Sequence, residues 1–220
     1  MAGALSSYPA PAIASAVGAR VGTKARAWLP RLVEGLAALG VGGLLLSTYT
    51  KPWWSIRLYA PQYPDGLGVQ VLLSGARGDV REIDTLNHYI GMASLETAAP
   101  LERKFALAGI CLAAAFVTGL LLIPKRTANA VGFGIALTVP LAFVTDFSLW
   151  LRHFGNNLDP RAPLRLDPFT PDLFGNGVIG QFMTFSRPEL GFWLALAAAL
   201  LALLLLALRT AKDKRLRGFP

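Results

Sequence analysis

The sequence predicts an all-α membrane protein: four transmembrane helices carrying a small extracytoplasmic α+β and loop domain made from two segments. Three observations predict it. Of 220 residues, 54% are hydrophobic and only 15% charged, against about 25% charged in an ordinary soluble domain. The apolar residues are clustered, and four runs approach the roughly 20 residues that a bilayer crossing needs. The Lys and Arg residues flank these runs unevenly, as they do in multi-pass proteins.

Residues 1–30 contain Tyr8-Pro9-Ala10-Pro11 and several Ala and Ser, a composition expected to give a disordered cytoplasmic tail. A cleaved signal peptide is the weaker reading, because the charges follow the mildly apolar stretch instead of preceding it. The first span is expected over 31–50, with LVEGLAALGVGGLLLST at its centre. The second covers 105–123 and is closed by Pro124. A cytoplasmic turn over 124–127 leads to the third span, 128–151, which Pro140 should kink. The fourth, 188–208, is nearly all Leu and Ala, and a basic tail follows over 209–220. None of the runs alternates as a barrel strand would, and Leu and Ala favour helix. Gly35, Gly40, Gly42 and Gly43 of the first span should permit close helix approach.

Orientation follows from charge. Arg20, Lys24, Arg26, Arg31, Lys125, Arg126, Arg209, Lys212, Lys214, Arg215 and Arg217 fall on one side, with Glu34 and Asp213 the acids there. The more basic side is expected in the cytoplasm, so both termini lie inside. The location predicted is a cytoplasmic membrane, with the bilayer itself as first partner. Trp53, Trp54, Trp150 and Trp193 then fit an outer aromatic belt. The net charge of +8 is explained by topology, and without an RNP motif, zinc finger or basic helix no nucleic-acid partner is expected. Cys111, the single cysteine, excludes an internal disulfide and any Cys/His zinc pattern.

The outer segments are 51–104 and 152–187. SIRL (55–58) and VQVLL (69–73) have strand-like composition, and APQYPDGLG between them (60–68) marks turns. VREIDTLNHYIGM (80–92) reads as a short helix that Asp84 could cap. The stretch FGNNLDPRAPLRLDPFTPDLFGNGVIG, rich in Pro, Asn and Gly, is expected to be irregular loop over the first piece, functional or merely covering.

Enzyme signatures fail: no GxSxG, HExxH, Walker loop or GxGxxG precedes a helix. No catalytic residue or organic cofactor is expected. A different chemistry is conceivable on the outer side, where His88, Met92, His153 and Met183 all fall. Imidazole and thioether are copper ligands. His88 and Met92, at i and i+4, would share a helix face, with Asp84 one turn earlier and His153 and Asp159 as further ligands. The plain alternatives stand beside this: His88 bonded to a backbone carbonyl, Met92 and Met183 filling gaps in a core. Asp146, near the outer end of the third span, is a carboxylate of the kind often functional in membranes. Arg152 and His153 are its candidate partners; capping at the interface is its plain reading. Glu34 is expected to pair with Arg31.

Several blocks together resemble a known family. WSIRL (54–58), APQYPDGL (60–67), LNHYIGM (86–92), DFSLW (146–150) and GNNLDPRAP (155–163) occur in the order of a little-characterised bacterial membrane-protein family. That family is associated with the gene neighbourhoods of nitrous oxide reductase and other copper respiratory enzymes. The resemblance covers about residues 53–163. It implies a bacterial inner membrane as the location, an accessory role in copper handling or respiration, and a membrane or periplasmic protein as partner. Carried onto this chain, the matched positions are Asn87, His88, Tyr89, Gly91, Met92, Asp146, Trp150 and Asp159. After its DFxxW block the family is more acidic and aromatic than Leu151-Arg152-His153-Phe154, so no role reaches His153 this way. Three readings follow: a non-enzymatic protein that binds or delivers copper; a structural or assembly subunit of a membrane complex; and, with least support, a small transporter component.

Overall fold

The computed structural model describes residues 12–216 and 218. Four of its helices are long and apolar enough to cross a membrane: α1 (Ala12–Ser47), α3 (Pro100–Leu122), α4 (Arg126–Asn156) and α5 (Leu190–Leu216). A five-stranded antiparallel sheet, the short helix α2 (Val80–Ile90) and a 3-10 turn over Thr48–Thr50 are the other elements of the described residues. Helix α1 already begins at Ala12, where a tail without structure is expected from the sequence. The Ala-rich run over 12–19 explains the difference, since Ala is the best helix former. The first part of the expected tail, residues 1–11, lies outside the described residues.

Each long helix packs on two neighbours in the cyclic order α1, α3, α4, α5. Successive helices are therefore antiparallel neighbours, joined at one end by the 123–125 turn and at the other by the sheet. Ala38, Val41, Leu45, Ala114, Val117 and Ala202 recur at three- and four-residue steps and build the bundle core, the spacing that puts side chains on one helix face. Gly42 is where α1 meets Thr118 of α3. Gly35 and Gly43 face open space, so of the expected close-approach glycines Gly42 carries the effect. The outward sides of the helices keep Leu36, Leu39, Leu112, Phe116, Leu200 and Leu204 exposed.

At the turn end, Arg209 of α5 ties all four helices. Its Nε donates to Glu34 Oε2 at 2.9 Å, and Nη1 donates to Asn129 Oδ1 at 2.6 Å and to Leu121 O at 2.8 Å. Asn129 is fully buried and donates to Ile123 O and Lys125 O. Glu34 thus pairs with Arg209, with Lys212 at 3.7 Å, and not with Arg31. The sequence-neighbour pairing loses to a partner that also satisfies the last carbonyls of α3, which a helix end leaves without internal donors.

At the other end the strands are β1 (Trp54–Ala60), β2 (Tyr63–Leu72), β3 (Gly75–Gly78), β4 (Gly175–Ile179) and β5 (Phe182–Pro188), in the order β3-β2-β1-β5-β4. The expected β1–β2 hairpin is present, with Trp54 opposite Val71 and Leu58 opposite Leu67. Two expectations are corrected. Asp65-Gly66 lies inside β2 and not in a turn: Gly66 has φ +76°, and a Cβ there would stand 2.8 Å from the Tyr59 ring. The second outer segment is not wholly irregular either. It supplies β4 and β5, and β5 pairs with β1 from Trp54–Pro188 to Tyr59–Met183.

The tryptophans explain how sheet and bundle join. Trp53 and Trp54 are fully buried, contrary to their expected place in an interfacial belt. Trp53 Nε1 donates to Thr48 O at 3.1 Å; Trp54 Nε1 donates to Ser186 Oγ at 2.8 Å and to Leu173 O at 3.1 Å. The Trp54 ring meets Phe143 and Phe147 of α4, Phe192 of α5 and Phe174, with centroids 4.9–6.2 Å away. Burying two indoles is favourable once each N–H has an acceptor. Trp193 is exposed, as a belt residue would be.

Candidate functional site

The motif residues occupy the rim of the sheet domain. Helix α2 lays Ile83 and Leu86 against Leu67, Val69 and Val71 of β2. It ends at Ile90 because Gly91 adopts φ +78°, ψ 13° and Met92 N–H returns to Asn87 O at 2.9 Å, a closure that glycine favours. Met92 therefore does not continue the α2 face, and the expected i, i+4 alignment with His88 is broken at the cap. His88 and Tyr89 are exposed, whereas Asn87 is buried. Met92 turns instead toward a cavity of about 80 Å³ beneath the sheet, shared with Leu151, Ile179 and Phe182.

Asp84 is fully engaged, but not as a cap of its own helix. Its carboxylate accepts from Ser94 Oγ at 2.5 Å, Leu95 N at 2.7 Å and Glu96 N at 3.2 Å, and so holds the loop after α2. The first residue before the helix, Asp79, accepts from Gly68 N instead, at 2.8 Å. Asp159 meets the same rim through its backbone: its N–H donates to Gly91 O at 2.8 Å, while Leu164 N–H donates to Tyr89 O at 2.9 Å. The Asp159 carboxylate accepts from Arg161 N. NHYIGM and LDPRAP are thus two halves of one clasp. His153, exposed at the end of α4, shares a 2.9 Å contact between its Nδ1 and Asn157 Nδ2 and lies edge-on to Trp150. Among the described residues no group of three or more His, Cys, Asp or Glu is placed to hold a metal ion. The expected set of His88, Met92, His153 and Asp159 is spread over the α2 rim, the small cavity, the end of α4 and the clasp.

Asp146 stands in a larger groove of about 320 Å³ between α3 and α4. Val139, Ala142 and Phe143 of α4 and Ala106, Gly109 and Ile110 of α3 form its apolar walls; Leu72, Leu73 and Gly75 of the β2–β3 turn cover its end. Its polar groups are Asp146, Glu102 and Arg103. Trp150 Nε1 donates to Glu102 Oε1 at 3.3 Å. Arg152 and His153, the expected partners of Asp146, do not line the groove. Glu102 and Arg103 were not legible as neighbours of Asp146, because they arrive from the start of another helix.

The solvent face of the sheet was also not legible. Tyr59, Met183 and Val178 stand opposite one another across β1, β5 and β4, and are 37%, 59% and 71% exposed. The next rung adds Phe185 between Arg57 and Asn176. Met183 is thus a surface residue and not the core filler expected. The alternation in FMTFSR (182–187), buried and exposed by turns, is the signal that could have found this face. No protein-family model matches this chain, and no curated protein matches it.

Proposed function

We propose that this chain is a four-pass accessory protein of a bacterial cytoplasmic membrane, with both termini inside, whose outer sheet domain docks another protein of a membrane complex during assembly or as a standing subunit. The observation that carries the reading is the exposed rung Tyr59–Met183–Val178. Isolated apolar side chains on a surface need no explanation, but a contiguous apolar patch rimmed by polar groups marks an interaction site. Here the rim is Arg57, Asn176 and Arg187, in register with the patch. The sheet sits on a stiff base, because Trp53 and Trp54 lock it to the helix ends.

The inside placement of the termini is supported by charge. Arg209, Lys212, Lys125 and Arg126 gather at the turn end of the bundle, away from the sheet. The clasp supports a presenting role as well: Asn87, Gly91 and Asp159 are spent on internal contacts, which leaves His88 and Tyr89 outward. Copper as cargo is the content the resemblance implies. The docking reading does not require it.

A photo-crosslinking residue at Met183 tests docking in native membranes. One discrete adduct at Met183, absent when the probe stands at the lipid-facing Leu112, is the expected result. The adduct should disappear when Val178 and Tyr59 are changed to Glu and Lys. No adduct at Met183, or equal adducts at both positions, overturns the reading.

A further inference from the structure

The groove between α3 and α4 has the form of a site for an amphiphile. Val139, Ala142, Phe143, Asp146 and Trp150 recur at three- and four-residue steps, so they line one face of α4. The eleven rises from Val139 to Trp150, at about 1.5 Å each, make that wall roughly 16 Å long. Gly109 and Ala142 are exposed where it opens sideways between the helices, at the level where lipid chains would stand. The polar groups gather only at the end beneath the sheet.

Those groups have distinct commitments. The Arg103 guanidinium donates to Leu95 O at 2.7 Å and Glu96 O at 2.5 Å, which leaves part of its five N–H donors free. Glu102 accepts from the Trp150 indole. Asp146 is half-buried and accepts no hydrogen bond from a described residue. Two carboxylates and one guanidinium line this end, so it carries an excess of negative charge with a cation among them. Its complement is a head group with a hydrogen-bond-donating cation next to an anion. The whole groove, about 320 Å³ with the polar end included, lies at the lower edge of the roughly 300–1,000 Å³ of small-molecule sites, and suits one chain rather than a whole lipid.

We propose that this groove holds one acyl chain of an aminophospholipid, with the ammonium beside Asp146 and Glu102 and the phosphate on Arg103. The proposal rests on the membrane placement given above. The head group stands at the outer end of the bundle, as it does in the leaflet on that side. The chain then descends along Ala142 and Gly109 without having to turn.

Native mass spectrometry on the full chain, reconstituted with phosphatidylethanolamine, phosphatidylcholine or phosphatidylglycerol of matched chains, tests it. One retained phosphatidylethanolamine is expected, at several-fold higher occupancy than either of the others. Asp146→Asn should remove most of that preference, and Glu102→Gln, at an exposed position, should weaken it in the same sense. Gly109→Leu should abolish retention of all three. A Cβ at Gly109 meets no atom within 4 Å, so the added side chain starts in open space on the groove wall. Equal occupancy by the three lipids, or undiminished retention in Gly109→Leu, overturns the proposal. Recovery of the chain in the soluble fraction would instead overturn the membrane placement, and the two failures are read separately.

Discussion

Gly91 and Asp159 are held backbone to backbone: Asp159 N–H donates to Gly91 O at 2.8 Å, and a Cβ on Gly91 would stand 2.7 Å from Asp159 O. That contact joins the segment that precedes α3 to the segment that follows α4. It also fixes the conformation that ends α2. Gly91→Ala meets both a positive φ, which costs a side-chain-bearing residue about 1–2 kcal/mol, and the Asp159 backbone. The expected outcome is a loss of roughly 2–4 kcal/mol with faster proteolysis between residues 90 and 100. Limited proteolysis beside thermal unfolding in detergent checks it; a variant as resistant as wild type would show the clasp to be dispensable.

The Arg209 cluster makes a second prediction. The Arg209 side chain is 11% exposed and that of Glu34 22%, so removing Arg209 leaves a largely buried carboxylate with only the more distant Lys212, at 3.7 Å. Arg209→Ala should cost about 3 kcal/mol. Arg209→Lys keeps the charge but loses the fork that serves Glu34, Asn129 and Leu121 together, and should recover less than half of that. The denaturation midpoints of the three proteins decide between a charge effect and a geometric one.

Tryptophan substitutions should separate the buried pair from the exposed one. Trp54→Ala removes an indole with two acceptors and four aromatic neighbours, and is expected to cost about 3–5 kcal/mol. Trp193→Ala, at a 53% exposed position, should change stability by no more than about 0.5 kcal/mol. Equal losses at the two positions would contradict the locking role of Trp54.

Within α2, neighbours should behave oppositely. Asp84→Ala strips the acceptor from Ser94, Leu95 and Glu96 and should cost about 2 kcal/mol. His88→Ala should be neutral within about 0.5 kcal/mol, because the ring is exposed. Hydrogen exchange over residues 92–99 would rise in the first variant and stay unchanged in the second.

Topology gives the last prediction. With Cys111 replaced by Ser, a cysteine at Asn176 should react with a membrane-impermeant maleimide in intact cells, and one at Lys214 only after lysis. The opposite pattern would invert the proposed orientation.

How far the sequence reached follows from the range of each interaction. The four long apolar helices and the first hairpin were legible, because a long apolar helix is a local matter of about 20 consecutive side chains and the β1–β2 hairpin closes within a few residues of its turn. The helix over 80–90 was legible for the same reason. The tertiary structure alone decided that residues 182–188 pair with residues 54–59, more than 120 positions away, which no local pattern announces. It decided that Trp53 and Trp54 are buried, since an indole beside a helix end has the same sequence signature in a belt and in a core. It also separated His88 from Met92, through one glycine whose left-handed turn ends the helix at Ile90, two residues short of Met92, and it brought Glu102 and Arg103 to Asp146, because facing helices meet by geometry and not by sequence distance.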